Sequence, residues 1–434
     1  MTPLSCPSGA RRGFTLVEMM VGLVVSAVVV GGAVALAISQ QKAYLNTSND
    51  RAAQEAARQA LVAIGDSLRR AGYGIHPSVA LDFGTVPNAV IEYVSTTFAA
   101  VGSTSCDPGS GPVACRDRTD GPDEIAFYAR DPYFVRALNA PPTTGKLTVT
   151  GGLTTPLLPG QVLAVACGGA CGKRWAYVTV GQTVPANPAA ASTAIQLAPA
   201  AGGGFDFPRQ NAALADTCFG AAVWTDGSPV TYAQASKVFK VDFYRFYVAR
   251  FPDPDSGALR PYLMLDQGLS DGNGPILLPV APDVDDLQFA YVFPNSPNPA
   301  NRLVGATAGT RLSNGGVGID LNATPPTFND ARANAARATQ SPANIRAVKV
   351  SVVVRSPETD LTLPGRAPLT ASLPAAGNRP ETPFDPGNPG AFPDAFHSRA
   401  LFEATYDLLN LESRALFCGD YFDGSNPGVN VGGG

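Results

Sequence analysis

The sequence predicts an α+β fold in which one long N-terminal helix, apolar and then amphipathic, packs its second half on an antiparallel β-sheet head with long loops. Three observations predict it. No proline interrupts the stretch from Phe14 to Tyr73, which passes from an apolar run into good helix formers. Beyond Gly74 short β-branched and aromatic runs recur, bounded by glycine and proline. Gly 45 and Pro 39 in 434 residues exceed the usual combined level of about 12%, as long loops between short strands require.

From Phe14 to Ile38 about 25 residues carry no charge except Glu18, enough to cross a bilayer as one helix. Arg11 and Arg12 precede the run and bias that end toward the cytoplasm. A carboxylate set deep in such a helix costs about 2.5–3.5 kcal/mol, so Glu18 requires a compensating partner. From Gln40 to Arg70, Ala53, Ala57, Ala60 or Leu61, Ile64 and Leu68 recur at three- and four-residue steps, one apolar face of an amphipathic helix. Asp50, Arg51, Glu55, Arg58 and Asp66 fall mostly on other faces. The pattern predicts a single helix of roughly 55–58 residues, about 85 Å long. Gly31 and Gly32 are its weakest point, at about 1 kcal/mol each relative to alanine. Gly72 and Gly74, with Pro77 soon after, predict its end. The expected organisation is a leader over 1–13, a transmembrane half over 14–39, an amphipathic half over 40–74, a β-rich head over 75–418 and a flexible tail over 419–434.

Alternation between turn signals predicts strands at 123–129, 146–150, 161–166, 174–180, 194–197, 221–225, 238–249, 261–265, 287–293, 346–355 and 400–409. Ala347–Val354 is the clearest, a β-branched run with polar alternates that suits a central strand. Tyr232, Phe239, Phe243, Tyr244, Phe246 and Tyr247 read as core and cross-strand pairs rather than a binding stripe. Residues 98–121, 294–343 and 363–396 are rich in Gly, Pro, Asn or Ser and predict surface loops or disorder.

Gly13-Phe14-Thr15-Leu16-Val17-Glu18, followed by the apolar run, resembles the class III signal of type IV prepilins and type II secretion pseudopilins. The resemblance implies cleavage between Gly13 and Phe14 by a prepilin peptidase, methylation of the new amino group of Phe14, and pairing of Glu18 with the N-terminal amine of a neighbouring subunit. Physics agrees, since a buried carboxylate is tolerated beside a cation. A plain membrane anchor leaves Glu18 and the Gly-Phe pair unexplained. A secretory signal, with Ala35-Leu36-Ala37 as its cleavage site, has an apolar stretch of roughly 7–15 residues, shorter than this one.

Leu68–Tyr73, Leu158–Cys167, Val284–Tyr291 and Ile345–Arg355 occur in the order seen in PilW-type minor pilins, over residues 14–73, 121–180, 221–293 and 344–412. The chain is longer than a usual member, and Asp407–Glu412 stands where the family has an arginine-asparagine ending. The resemblance implies a minor pilin that primes type IV pilus assembly at or near the tip, held first in the inner membrane with a periplasmic head and then in the extracellular pilus. Its implied partners are inner-membrane lipid, other minor pilins, the major pilin and a tip adhesin. A minor pseudopilin of type II secretion and a secreted β-rich binding protein are the alternatives.

The net charge of −4 supplies no basic face for nucleic acid. Serine-nucleophile motifs, phosphate-cradling glycine loops and clustered histidines are absent from the sequence, so no catalysis and no cofactor are expected. His76 and His397 lie near no ligand cluster, and Cys167-Gly-Gly-Ala-Cys171 has no matching second pair, which argues against zinc. Asp283, Asp285 and Asp286, with Asp253, Asp255, Asp271 and Asn273, offer oxygens for calcium. They lack the spaced acids and closing glutamate of a calcium loop, and turn formation is the expected role.

Cys6 lies in the leader, leaving Cys106, Cys115, Cys167, Cys171, Cys218 and Cys418. An even count in an exported domain points to disulfides, although six cysteines permit 15 connectivities. Closeness in sequence favours Cys106–Cys115 and Cys167–Cys171, with Cys218–Cys418 as a long-range clasp. Paired cysteines predict no free thiol in the native head and a loss of about 2–5 kcal/mol per bridge on reduction, measured by thiol titration and urea unfolding.

Overall fold

The computed structural model describes residues 15–75, 80–83, 116–118, 121–140, 146–167, 174–197, 237–252, 259–271, 273–294, 299, 302–307, 312, 319–320, 327–328, 345–357, 372–383 and 397–412. The first helix, α1, runs over Leu16–Leu68. The strands are β1 (Ile125–Ala137), β2 (Lys146–Thr150), β3 (Val162–Cys167), β4 (Arg174–Thr179), β5 (Ser192–Gln196), β6 (Lys237–Pro252), β7 (Leu259–Ser270) and β8 (Pro275–Pro282). After them come β9 (Val284–Val292), β10 (Leu303–Val304), β11 (Ile319–Asp320), β12 (Thr327–Phe328), β13 (Ala347–Arg355), β14 (Ser372–Leu373), β15 (Thr382–Pro383) and β16 (Arg399–Asp407), and a short α2 (Leu409–Glu412) ends the described chain.

The expected long helix is present as 53 continuous residues, and Gly31 and Gly32 do not interrupt it. Its predicted apolar face is the buried one: Ala53, Ala57, Ala60, Ile64 and Leu68 are covered, joined by Ala56 and Gly65. Full burial starts only at Ala53, however, and within residues 40–52, also expected to lie on the head, only Leu45 and Asn49 are even half-buried. Between Gln40 and Ala52 the only large apolar side chains are Tyr44 and Leu45, too few to form a stripe. The helix ends in turns in which Gly72 (φ 76°) and Gly74 (φ 62°) take left-handed backbone that glycine adopts at no steric cost.

Two antiparallel sheets form the head. One orders β4-β3-β6-β7-β8, with β1 also paired to β6, and the other orders β10-β9-β13-β16. The helix lies on β13 and β16 and against β8. Ile64, Leu68, Phe127, Phe246, Phe289, Val348, Val350 and Val352 meet in the main core. The aromatic series behaves as expected: Phe127 stacks on Tyr244 at 5.3 Å and Tyr128 tilts against Phe243 at 5.1 Å. Tyr232 lies outside the described residues, as does the strand expected at 221–225.

Three departures from expectation have physical causes. β8 lies outside the predicted strands, because Pro275, Pro279 and Pro282 punctuate it; it is an edge strand of its sheet, the place where proline is tolerated. β1 runs beyond the expected 129 through Asp131-Pro132, accommodated by a register shift between Arg130 and Val135. The loop-like stretches contribute buried anchors: Leu312 N–H donates to Asp117 Oδ2 at 2.6 Å, and Arg379 Nε donates to Asp286 Oδ2 at 2.8 Å. Average composition hides such single residues.

A second core lies apart from the helix. Leu138, Leu147, Val149, Leu163, Val165, Val178, Val180, Ile195 and Val238 are among its residues, none of them from α1. The predicted β2 at 146–150 is reproduced residue for residue, and β2 pairs with β5 in this second core.

Where α1 meets β16, a methyl built on Gly65 would overlap the Tyr406 ring, whose hydroxyl donates to Leu61 O at 2.7 Å. Gly65→Ala gains about 1 kcal/mol of helix propensity, against an overpacking cost of about 1–3 kcal/mol. The expected result is a lower melting temperature. In a Tyr406→Ala background the same change is expected to stabilise, which a double-mutant thermal-melt series measures.

Candidate functional site

The N-terminal half of α1 is the part of the described chain that its own fold leaves unsatisfied. Leu16, Val17, Met19, Met20, Leu23 and Val24 are all exposed, and no heavy atom lies near a side chain built at Gly22, Gly31 or Gly32. The helix is long and apolar enough to cross a membrane, and its most apolar window has no part buried in the head. From Leu16 to Ile38 the rise is about 35 Å, matching a hydrocarbon layer of about 30 Å. About 20 Å of helix, exposed except at half-buried Leu45 and Asn49, then separates Ile38 from the first buried residue, Ala53.

Glu18 sits in the first turn of this surface. Thr15 caps the helix in an extended conformation, and its Oγ1 accepts from Glu18 N–H at 3.2 Å. In return Glu18 Oε2 accepts from Thr15 N–H at 2.9 Å and from Thr15 Oγ1–H at 3.1 Å. This capping box satisfies helix-end donors and places the carboxylate at the positive end of the helix dipole. Sequence reasoning missed it, although Thr15-Leu-Val-Glu18 is the spacing such a box requires. Gly13 and Phe14 lie outside the described residues, as do Cys106, Cys115, Cys171, Cys218, Cys418 and the side chain of Cys167.

The acidic cluster that offered calcium ligands is neither a set of turns nor a cation cage. Asp283 accepts from Arg260 Nε at 2.9 Å and Arg260 Nη2 at 2.7 Å, with Arg355 Nε at 3.7 Å. Asp285 accepts from Arg399 Nε at 2.7 Å and faces Arg250 Nη2 at 3.6 Å, while Asp286 takes Arg379. Glu124 lies between Arg116 and Arg245. Among the described residues no group of three acids, histidines or cysteines is placed to hold a metal. Asp271 alone behaves as the expected turn former, accepting from Asn273 N–H at 2.8 Å and Gly274 N–H at 3.1 Å. Asp253 and Asp255 lie outside the described residues.

Asp283 has the one positive φ of a non-glycine residue among those described, 60°, and it joins β8 to β9, so the chain passes from one sheet to the other there. Its N–H donates to Pro261 O at 2.7 Å, and its carbonyl accepts from Arg355 N–H at 2.9 Å. A short acid tolerates this backbone better than most residues.

Burial pushes the Asp285 carboxyl up, but Arg399, Arg250 and Arg355 outweigh it and hold the group below the ordinary carboxylate range. Burial and then the neighbouring Asp117 push Asp123 well above that range. The signs differ. Stability from Asp285 is present above an unfolded value of about 4 and is lost as pH falls through the lowered folded value. Stability tied to protonated Asp123 is present below about 4 and is lost as pH rises through its raised value. Asp285→Asn is expected to cost about 3–5 kcal/mol at pH 7, because it strands buried guanidinium groups. Urea unfolding should show that cost shrinking toward pH 3; a cost independent of pH would contradict the pairing.

Residues 9–34 match the family described as the prokaryotic N-terminal methylation motif. No curated protein matches the chain. Among solved structures, the type IV-like pilin TTHA1219 from Thermus thermophilus is similar at 17% identity and a TM-score of 0.16, over 39% of this chain and 66% of that one, just under two thirds of its length. The chain carries a prepilin-type methylation signal on an apolar helix that fits membrane anchoring, and antiparallel sheets follow that helix.

Proposed function

We propose that the chain is a minor pilin of the PilW type, cut by prepilin peptidase between Gly13 and Phe14, methylated on Phe14, and drawn from the inner membrane into a type IV pilus. The observation that carries this reading is the methylation motif over residues 9–34 on a helix whose apolar half is left uncovered by the described residues. A cleaved and methylated helix of this kind has two uses for one surface. It rests in lipid before assembly and packs among other helices afterwards, since lipid tails and apolar side chains cover it equally well. The head stays periplasmic until it leaves the cell with the filament.

Glu18 acts in both states. In the membrane the capping box with Thr15 satisfies its carboxylate, and in the bundle the methylated amine of a neighbouring Phe14 replaces Thr15 as its partner. The six cysteines from Cys106 to Cys418 form disulfides in the oxidising compartment. A bulky head of this length suits a tip or priming position beside other minor pilins and a tip adhesin better than a repeating shaft position.

Mass spectrometry of the N-terminus after co-expression with a prepilin peptidase tests the reading. A chain starting at methylated Phe14 is expected; a start at Ile38 means signal-peptidase cleavage, and an uncut Met1 means a plain anchor. Glu18→Ala is expected to leave insertion and cleavage intact and to reduce incorporation into filaments, scored by immunoblot of sheared pili. Co-purification with secretion-system components instead of pilus components would move the chain to a minor pseudopilin role.

A further inference from the structure

The second core is enclosed by a closed ring of strands. β1 pairs with β6 at Val135↔Phe239, Arg136↔Val238 and Ala137↔Lys237, and β6 pairs with β3 from Val162↔Val241 to Ala166↔Lys237. β3 pairs with β4, and β5 with β2. Two bridges close the circle: Val180↔Leu197 just after β4 and β5, and Leu138↔Val149 between the end of β1 and β2. Hydrogen bonds back them, from Gly181 N–H to Gln196 O at 2.9 Å and from Asn139 N–H to Thr148 O at 2.8 Å. The ring order is β1-β2-β5-β4-β3-β6, and its interior is filled by Leu147, Val149, Leu163, Val178 and Ile195, each fully buried. A closed ring leaves no strand edge to pair elsewhere.

The barrel enters and leaves the head at neighbouring points. Arg130 and Val241 are register partners, and the irregularity in β1 follows directly, between Arg130 and Val135. On the near side of that joint Ile125–Arg130 and Val241–Phe246 form an antiparallel pair facing the main core. On the far side the same two strands become staves of the barrel. Asp131 and Lys240 flank the joint and pair at 3.4 Å. The helix packs on β8, β13 and β16, and none of its residues enters the barrel core.

We infer that the barrel built from the described strands between Asp131 and Lys240 is a module inserted into a β-hairpin of the helix-bearing head, folding as its own cooperative unit and not used for assembly through the helix. The assembly half of this inference rests on the function proposed above; the folding half does not. Insertion at adjacent, paired residues lets a second unit form without displacing the first, and units of this kind open independently in the native state.

Hydrogen exchange on the full-length chain tests it with Leu147→Ala, which hollows the barrel core, to which α1 contributes no residue. Exchange over 146–165 and 178–197 is expected to rise roughly tenfold or more, with 53–68, 284–292 and 347–355 unchanged within about twofold. Equal acceleration in both groups overturns the inference, because the head would then open as one unit. Wild-type levels of Leu147→Ala in sheared filaments are the expected second result; its loss from filaments, with exchange over 53–68 still unchanged, overturns the separation from assembly. Absence of the wild-type chain from filaments instead overturns the proposed function, while the exchange data still decide the module.

Discussion

One helix has to be solvated in two ways. Its first half, from Leu16 to Ile38, presents valines, leucines and methionines on all sides and finds no cover among the described residues of the head. Its second half is covered on one side from Ala53 onward. In water the first half would be an exposed apolar surface far beyond what a monomeric protein tolerates, so lipid or other helices must complete it. The buried face of the second half holds the helix against the sheet. Ala56, Ala57 and Ala60 let the helix approach the sheet closely, Gly65 admits the Tyr406 ring, and Asn410 Nδ2 donates to Arg69 O at 2.7 Å as the helix ends.

The sheet beneath the helix is positioned by charge. β9 and β13 are buried along almost their whole length, and the corner into β9 holds Asp283, Asp285 and Asp286 in the interior. Each has an arginine from a different part of the chain: Arg260 on β7, Arg399 on β16, Arg379 between β14 and β15. Buried pairs of this kind add little net stability over apolar residues of similar shape, because desolvation offsets the attraction. What they do is penalise every arrangement in which an arginine misses its acid. Since three acids lie within four residues at the corner between the sheets, the sheet order and the seating of the proline-rich segment around Arg379 are set together.

Much of this was legible because it is periodic. The three- and four-residue spacing from Ala53 to Leu68 named the buried face, and the β-branched run at Ala347–Val354 named a central strand. The apolar run from Phe14 to Ile38 and its single carboxylate, Glu18, stand out in the sequence without any periodicity. The capping box is legible too, in the Thr-x-x-Glu spacing of Thr15-Leu-Val-Glu18. The arginine partners of the acidic cluster were not legible. They lie 23 to 114 residues away, and nothing local marks Arg260 or Arg399 as facing an acid rather than water. An acidic cluster read without its distant cations looks like a cation site.

The two cores escaped the sequence for a related reason. Strands of about 5–6 residues are typical, whereas β1 and β6 have 13 and 16. That excess length is the trace of double duty, since each strand serves the main core with one end and the barrel with the other. In β1 the change of duty falls at Asp131-Pro132, where a periodic reading ends the strand. Pairing resumes three residues later than simple register would place it, with Val135 opposite Phe239 after Arg130 opposite Val241. Such an irregularity bends and twists a strand locally, and a bend is what a strand leaving an open sheet for a closed ring requires. The proline that ends the strand on paper is thus at the place where the chain turns from one core to the next.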